Sequence, residues 1–175
     1  ISQLIYFKEQ FYRDVFQLPD QIFDKTLVIE NNQFYNQNVY AVRVYRQRDF
    51  SISNNTIYNA RNGISLDQSW YGKEISGNKY NSSLNNQVSG LQLINSAAHR
   101  IERNLFDFKA GGTGIVLIPG KTYEQEILLA NNLINIEGFD INPSFREAIL
   151  GIEISSNLEN PDDSKIKLYH NSILL

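Results

Sequence analysis
The sequence predicts an all-β fold, a right-handed parallel β-helix (a solenoid) of about six coils, on three observations. A six-residue phrase, apolar-x-x-Asn-x-apolar, occurs at Ile29–Phe34, Ile52–Ile57, Ile75–Tyr80, Ile101–Phe106, Leu129–Ile134 and Leu168–Ile173. Its asparagines, Asn32, Asn55, Asn78, Asn104, Asn132 and Asn171, stand 23, 23, 26, 28 and 39 residues apart, a solenoid period. Between the copies runs a second phrase, a small residue followed by apolar-x-apolar: Ala41-Val42-Arg43-Val44, Gly63-Ile64-Ser65-Leu66, Gly90-Leu91-Gln92-Leu93, Gly114-Ile115-Val116-Leu117 and Gly151-Ile152-Glu153-Ile154. No repeat holds a stretch of about ten to twelve residues with helical period.

Each phrase has a physical reading. Alternation in the second phrase turns two apolar side chains to one face of a strand and the intervening one to the other. One coil cannot bury its apolar face alone; stacking lines Val42, Ile64, Leu91, Ile115 and Ile152 into one internal ladder and Val44, Leu66, Leu93, Leu117 and Ile154 into another. The Asn suits a turn between two strands, because it tolerates the left-handed region better than other residues with a side chain. Stacked, its amide can donate to one coil and accept from the other. Two strand-like segments per unit follow, with room for a third.

Taken in order, residues 1–26 depart from the repeat. Leu4 and Tyr6 alternate as in a strand of a preceding coil, while Phe7, Phe11, Tyr12, Val15 and Phe16 have helical spacing before Leu18-Pro19. This stretch reads as an irregular or helical insertion or a preceding coil, and residues 27–175 as β-helix repeats. From there the loops vary. Asp67–Glu74 carries the single Trp, Trp70, beside Tyr71, and the excursion between Asn132 and Gly151 carries Phe139 and Phe145. Phe and Trp rings beside amides are what a sugar platform needs, since pyranose faces stack on rings and hydroxyls take polar partners. Trp70, Tyr71, Phe139 and Phe145 are therefore the candidate ligand-binding residues, with a loop pinned to its own coil as the alternative for Trp70.

Combined, the two phrases resemble the parallel β-helix repeats of the pectate lyase-like superfamily over about residues 27–175. Their richness in Asn, as in Leu168-Tyr169-His170-Asn171-Ser172-Ile173, resembles large secreted proteins of Bacteroidota, many exported by the type IX system. The resemblance implies an extracellular or cell-surface bacterial location. For activity it implies little, because the superfamily includes lyases, hydrolases, tailspikes, copper-processing periplasmic proteins and adhesins. Its lyases and hydrolases work on an outward strand ladder. Here the outward ladders read Arg43, Ser65, Gln92, Val116, Glu153 and Tyr45, Asp67, Ile94, Ile118, Ser155. Inverting hydrolysis needs two carboxyls roughly 6.5–9.5 Å apart, and neither Asp67 nor Glu153 has one on an adjacent coil. Arg43 and Asp67 come nearest to a catalytic pair, and an exposed ion pair is the plainer reading.

Composition bounds the rest. The chain has no Cys and no Met; the absence of Cys excludes disulfides, zinc-thiolate sites and thiol catalysis within it, and its two histidines complete no triad or metal set. No metal site is expected, and the only cofactor considered is Ca²⁺, weakly, at Glu159-Asn160-Pro161-Asp162-Asp163-Ser164, whose spacing matches no calcium loop. A net charge of −3 gives no field for nucleic acid, and no segment suits membrane insertion. Both ends fall in mid-repeat, so the β-helix is expected to be truncated at both, with further coils of the same chain as neighbours. The expected function is structural or adhesive, with polysaccharide or the secretion and surface machinery as partners. The alternatives are a polysaccharide lyase or glycoside hydrolase with its catalytic coils largely outside this segment, and a passive export cargo or spacer.

Overall fold
The computed structural model describes residues 5–7, 24–84, 88–119, 126–137, 150–155 and 165–175. Every regular element among them is a β-strand, and the strands form a parallel β-helix. Sheet 1 is Ile5–Phe7, Tyr40–Tyr45, Asn62–Asp67, Val88–Ile94, Gly112–Ile118 and Leu150–Ile154. Sheet 2 is Val28–Glu30, Ser51–Ser53, Gly72–Ser76, Ala98–Glu102, Ile127–Ala130 and Ile166–Tyr169. Sheet 3 is Gln33–Tyr35, Thr56–Tyr58, Lys79–Ser82, Leu105–Phe108, Leu133–Ile136 and Ser172–Leu174. The chain visits sheets 2, 3 and 1 in turn, so each circuit lays one strand on each. Fewer than six circuits are complete, because Ile5–Phe7 adds a strand to sheet 1 alone and the last strands of sheets 2 and 3 have no described partner strand in sheet 1.

The Asn phrase therefore holds two strands. Its first apolar residue lies in sheet 2 and its second in sheet 3, with the bend between. Ile29, Ile52, Ile75, Ile101 and Leu129 stack in register in sheet 2, and Phe34, Ile57, Tyr80, Phe106 and Ile134 do so in sheet 3. With Val42, Ile64, Leu91 and Ile115 of sheet 1 they fill the interior, all buried. Burying such side chains stabilises by roughly 1.5–3 kcal/mol each, which the ordering entropy of the coil largely offsets. The expected inner ladders thin at sheet 1's last strand: Ile152 is only partly buried and Ile154 is 44% exposed.

The small residue of the second phrase has a steric cause. A Cβ at Gly90 would lie 2.4 Å from the Phe106 ring and 2.4 Å from the Gly114 carbonyl oxygen, and one at Gly63 would lie 2.8 Å from the Tyr80 ring. The glycines make room for the large side chains that sheet 3 sends across the corner.

The bend differs from expectation in which residue makes it. The left-handed conformation belongs to the residue before each ladder Asn: Asn31, Asn54, Gly77, Arg103, Asn131 and His170, with φ between 49 and 64°. The ladder Asn itself is freed to aim its backbone N–H and amide along the solenoid axis. Asn55 N and Nδ2 both donate to Asn78 Oδ1 at 3.0 Å. The same pair of bonds joins Asn32 to Asn55, Asn78 to Asn104, Asn104 to Asn132 and Asn132 to Asn171. The second amide proton goes back to the preceding coil, from Asn78 Nδ2 to Ile52 O at 3.0 Å, for example. Each interior Asn thus accepts two bonds and donates two from its amide, leaving none of its capacity unused.

A second, shorter ladder lies where sheet 1 turns into sheet 2. Gln47 N donates to Ser69 Oγ at 3.1 Å and Ser69 N to Ser96 Oγ at 3.0 Å, each Ser being buried and returning its proton to a carbonyl two residues back. Here too the preceding residue, Arg46, Gln68 or Asn95, takes positive φ.

Candidate functional site
The outward face of sheet 1 presents the ladder Arg43, Ser65, Gln92, Val116, Glu153 in register. Beside it, Asp67 stacks between Tyr45 and Ile94. Arg43 pairs in register with Ser65, so it meets Asp67 diagonally, and its guanidinium lies 5.0 Å from the centre of the Tyr40 ring. Burial pushes the Asp67 carboxyl above its usual range, and the charges of Arg43 and Arg46 with the Gln68 N–H pull it partly back. Arg43 and Asp67 therefore interact at longer range, and the expected exposed ion pair does not close. Ser65 is outward yet only 5% exposed.

Trp70 and Tyr71 lie in the turn from sheet 1 to sheet 2, both half-buried. Trp70 forms a parallel bridge with Arg48, and its backbone N–H donates to Gln47 O at 3.0 Å. The Arg48 guanidinium lies 4.7 Å from the centre of the Tyr71 ring, which occupies one ring face. This turn is built into the coil stack. Phe139 and Phe145 lie outside the described residues, as do Lys8–Phe16 and Glu159–Ser164.

Sheet 3 holds a feature that reading along the sequence missed. Tyr35 and Tyr58, partners in register on adjacent strands, stack face to face with ring centres 5.0 Å apart and an interplanar angle of 8°. They point outward, 52% and 37% exposed. Tyr35 Oη donates to Gln33 Oε1 at 2.6 Å, which fixes the first ring. The turn that follows each ring starts with a left-handed Asn, Asn36 or Asn59, whose N–H bonds to the next coil. The turns that follow the rings contribute Asn36, Gln37, Asn38, Asn59 and Arg61 to a depression that Leu84 completes. Gln37 Nε2 donates to Tyr35 O, and Asn59 Oδ1 accepts from Ser83 N and Oγ. A signal existed: Tyr35 and Tyr58 are separated by the same 23 residues as Asn32 and Asn55. The serines of the second ladder carried one too, each standing three residues past the last apolar residue of its phrase, Leu66 or Leu93.

Metal donors are scattered. Among the described residues no three His, Cys, Asp or Glu side chains converge. His99 lies in the fourth strand of sheet 2, its Nδ1 3.2 Å from Glu126 O. His170 occupies a left-handed bend position beyond the sixth. Two strand spacings and four residues of register separate the two rings' backbones, roughly 10 Å by 13 Å, too far to share an ion. No described helix is long and apolar enough to cross a membrane.

Comparison with known families gives one result. The family model described as periplasmic copper-binding protein (NosD) matches residues 22–146, well over half of the chain. No curated protein and no solved structure matches it. The matched span contains five of the six Asn phrases and four of the five small-apolar phrases, the repeats that build the coils. By that match the chain belongs to the NosD family of periplasmic copper-binding proteins.

Proposed function
We propose that this chain is an architectural segment of a periplasmic or extracellular β-helix protein, adhesive in role, which contacts carbohydrate through aromatic side chains at its turns. The observation that carries the reading is where its polar capacity goes. Interior amides and hydroxyls are consumed by bonds along the axis, in the Asn and Ser ladders, while the Tyr35 and Tyr58 rings stand outward at the ends of sheet 3 strands and unladdered amides line the turns after them. A rigid scaffold with displayed turns suits recognition. The family's description as periplasmic supports that address; it carries neither a Bacteroidota source nor a type IX route.

That description also names copper. Copper(I) sites draw on Cys and Met, of which the chain has none, and imidazole sites need converging rings, which His99 and His170 are not. The described residues do not fit a copper site, and no role here is assigned to one.

Binding of the purified chain to immobilised glycans, compared with Trp70→Ala, tests the reading. The expected outcome is glycan binding that Trp70→Ala weakens while the variant keeps the far-ultraviolet circular dichroism of the folded chain. Absence of binding by the folded chain would reject it. The lyase alternative rests on Asp67, a carboxyl raised by burial and flanked by arginines. It requires activity on acidic polysaccharide that depends on added Ca²⁺ and vanishes in Asp67→Ala.

A further inference from the structure
We propose that the stacked pair Tyr35–Tyr58 and the amide-lined depression built by the turns that follow the two rings form a binding site for a neutral pyranose oligosaccharide, distinct from the Trp70 turn and resting on the carbohydrate reading above. The argument starts from the ring stack. Tyr35 covers one face of Tyr58, yet Tyr58 is still 37% exposed. Its partner on the next strand is Asn81, followed by Asp107 and Asn135. The aromatic column thus stops after two rings, and the next coil carries the shorter Asn81 where a third ring would continue it. A pyranose has nearly the footprint of a phenol ring and an apolar C–H face, so it can continue the stack where a third tyrosine would stand.

The depression supplies the polar half. Asn36, Gln37, Asn38 and Asn59 contribute four amides, each with donors and acceptors, and among the described residues no carboxylate lines the space. Gln37 spends Nε2 on Tyr35 O, which leaves Oε1 to accept; Asn59 spends Oδ1 on Ser83, which leaves Nδ2 to donate. A hydroxyl needs both at once. Leu84 gives an apolar patch, and Arg61 is the single cation among the described lining residues, on a chain whose net charge is −3, so recognition runs through rings and hydroxyls rather than through a polyanion. The site is also held in advance, by the Tyr35–Gln33 bond and by Asn36 N to Tyr58 O at 2.9 Å and Asn59 N to Asn81 O at 3.0 Å. Little ordering is left for a ligand to impose.

The test is an array of pyranose hexamers in gluco, manno, galacto and xylo configuration with a uronate hexamer beside them, followed by calorimetry of the strongest binder. The proposal expects a neutral hexamer to bind, Tyr58→Ala to weaken it at least tenfold, Tyr58→Phe to change it less than threefold, and a rise from 50 to 500 mM salt to change it less than twofold. Shifts of the Tyr58 ring protons on titration of the native chain read the same contact, so a variant that fails to fold does not end the test. No neutral hexamer bound, binding indifferent to Tyr58→Ala, or salt-sensitive preference for the uronate would each overturn it. Loss in Trp70→Ala with Tyr58→Ala unaffected would overturn this site while leaving the carbohydrate reading intact.

Discussion

Replacing Asn78 with Ala cuts the axial ladder at its centre, and the structure sets the cost. Asn78 is 3% exposed. Its Oδ1 accepts from Asn55 N and Asn55 Nδ2, both at 3.0 Å, and its Nδ2 donates to Ile52 O and to Asn104 Oδ1, both at 3.0 Å. After truncation Asn104 Oδ1 keeps the bond from Asn78 N at 3.1 Å, and Asn55 Nδ2 keeps Ile29 O at 2.9 Å. The Asn55 N–H loses the acceptor that the side chain supplied, inside the solenoid. A stranded buried donor costs about 1–3 kcal/mol, and the three other lost bonds about 0.5–1.5 kcal/mol each before relaxation. With partial relaxation the expected loss is about 2–4 kcal/mol. Asn32→Ala is the internal comparison. Asn32 is less buried, its amide only donates, to Glu30 O and Asn55 Oδ1, and Asn55 Oδ1 retains the Asn32 N–H at 3.0 Å. That loss should be about 0.5 kcal/mol. Urea unfolding followed by Trp70 fluorescence and far-ultraviolet circular dichroism, with unchanged m-value, measures both. Losses at the two positions within about 0.5 kcal/mol of each other would refute the ladder as a source of stability.

Two further predictions follow from the same geometry. Gly90→Ala places its Cβ 2.4 Å from both the Phe106 ring and the Gly114 carbonyl, so it should destabilise by about 1–3 kcal/mol, whereas Gly77→Asn, at φ 64° beside Asn54 and Arg103 with φ 55° and 56°, brings its Cβ within 2.5 Å only of Oδ1 at the end of the exposed Asn54 side chain, which can turn aside, and should cost under about 1 kcal/mol by the same urea titration. Asp67, raised by burial, favours the fold fully below its unfolded pKa of about 3.9, and that contribution is lost as pH rises through the raised folded value. Asp67→Asn should therefore gain stability relative to the native chain at pH 7 but not at pH 3.5, by less than about 1 kcal/mol because the group is half exposed to solvent. A variant less stable than native at pH 7 would mean that Arg43 and Arg46 outweigh the burial.

Period and alternation are local properties of a chain, and they carried the fold class. A solenoid repeats the same environment every coil, so the residues that face the axis recur at one spacing and can be read without coordinates; Asn32 to Asn171, Val42 to Ile115 and the glycines of the second phrase were all legible in that way. What required the tertiary structure was everything set by register between coils. Only the bend inside the Asn phrase splits Ile52 from Ile57 into two sheets, and only its φ values place the left-handed strain on Asn54 rather than Asn55. Ser65 alternates as an outward residue, but burial depends on what neighbouring side chains cover, and it is 5% exposed. Arg43 and Asp67 were expected as an exposed ion pair, but the Arg43 guanidinium sits 5.0 Å from the centre of the Tyr40 ring and acts on the Asp67 carboxyl by its charge alone. The Tyr35–Tyr58 stack exists only because strand pairing brings residues 23 apart in sequence into contact, with ring centres 5.0 Å apart. Sequence alone determined that this chain coils and which side chains line the axis, because those choices repeat. The tertiary structure decided which outward side chains meet, because that depends on pairing across coils whose lengths differ.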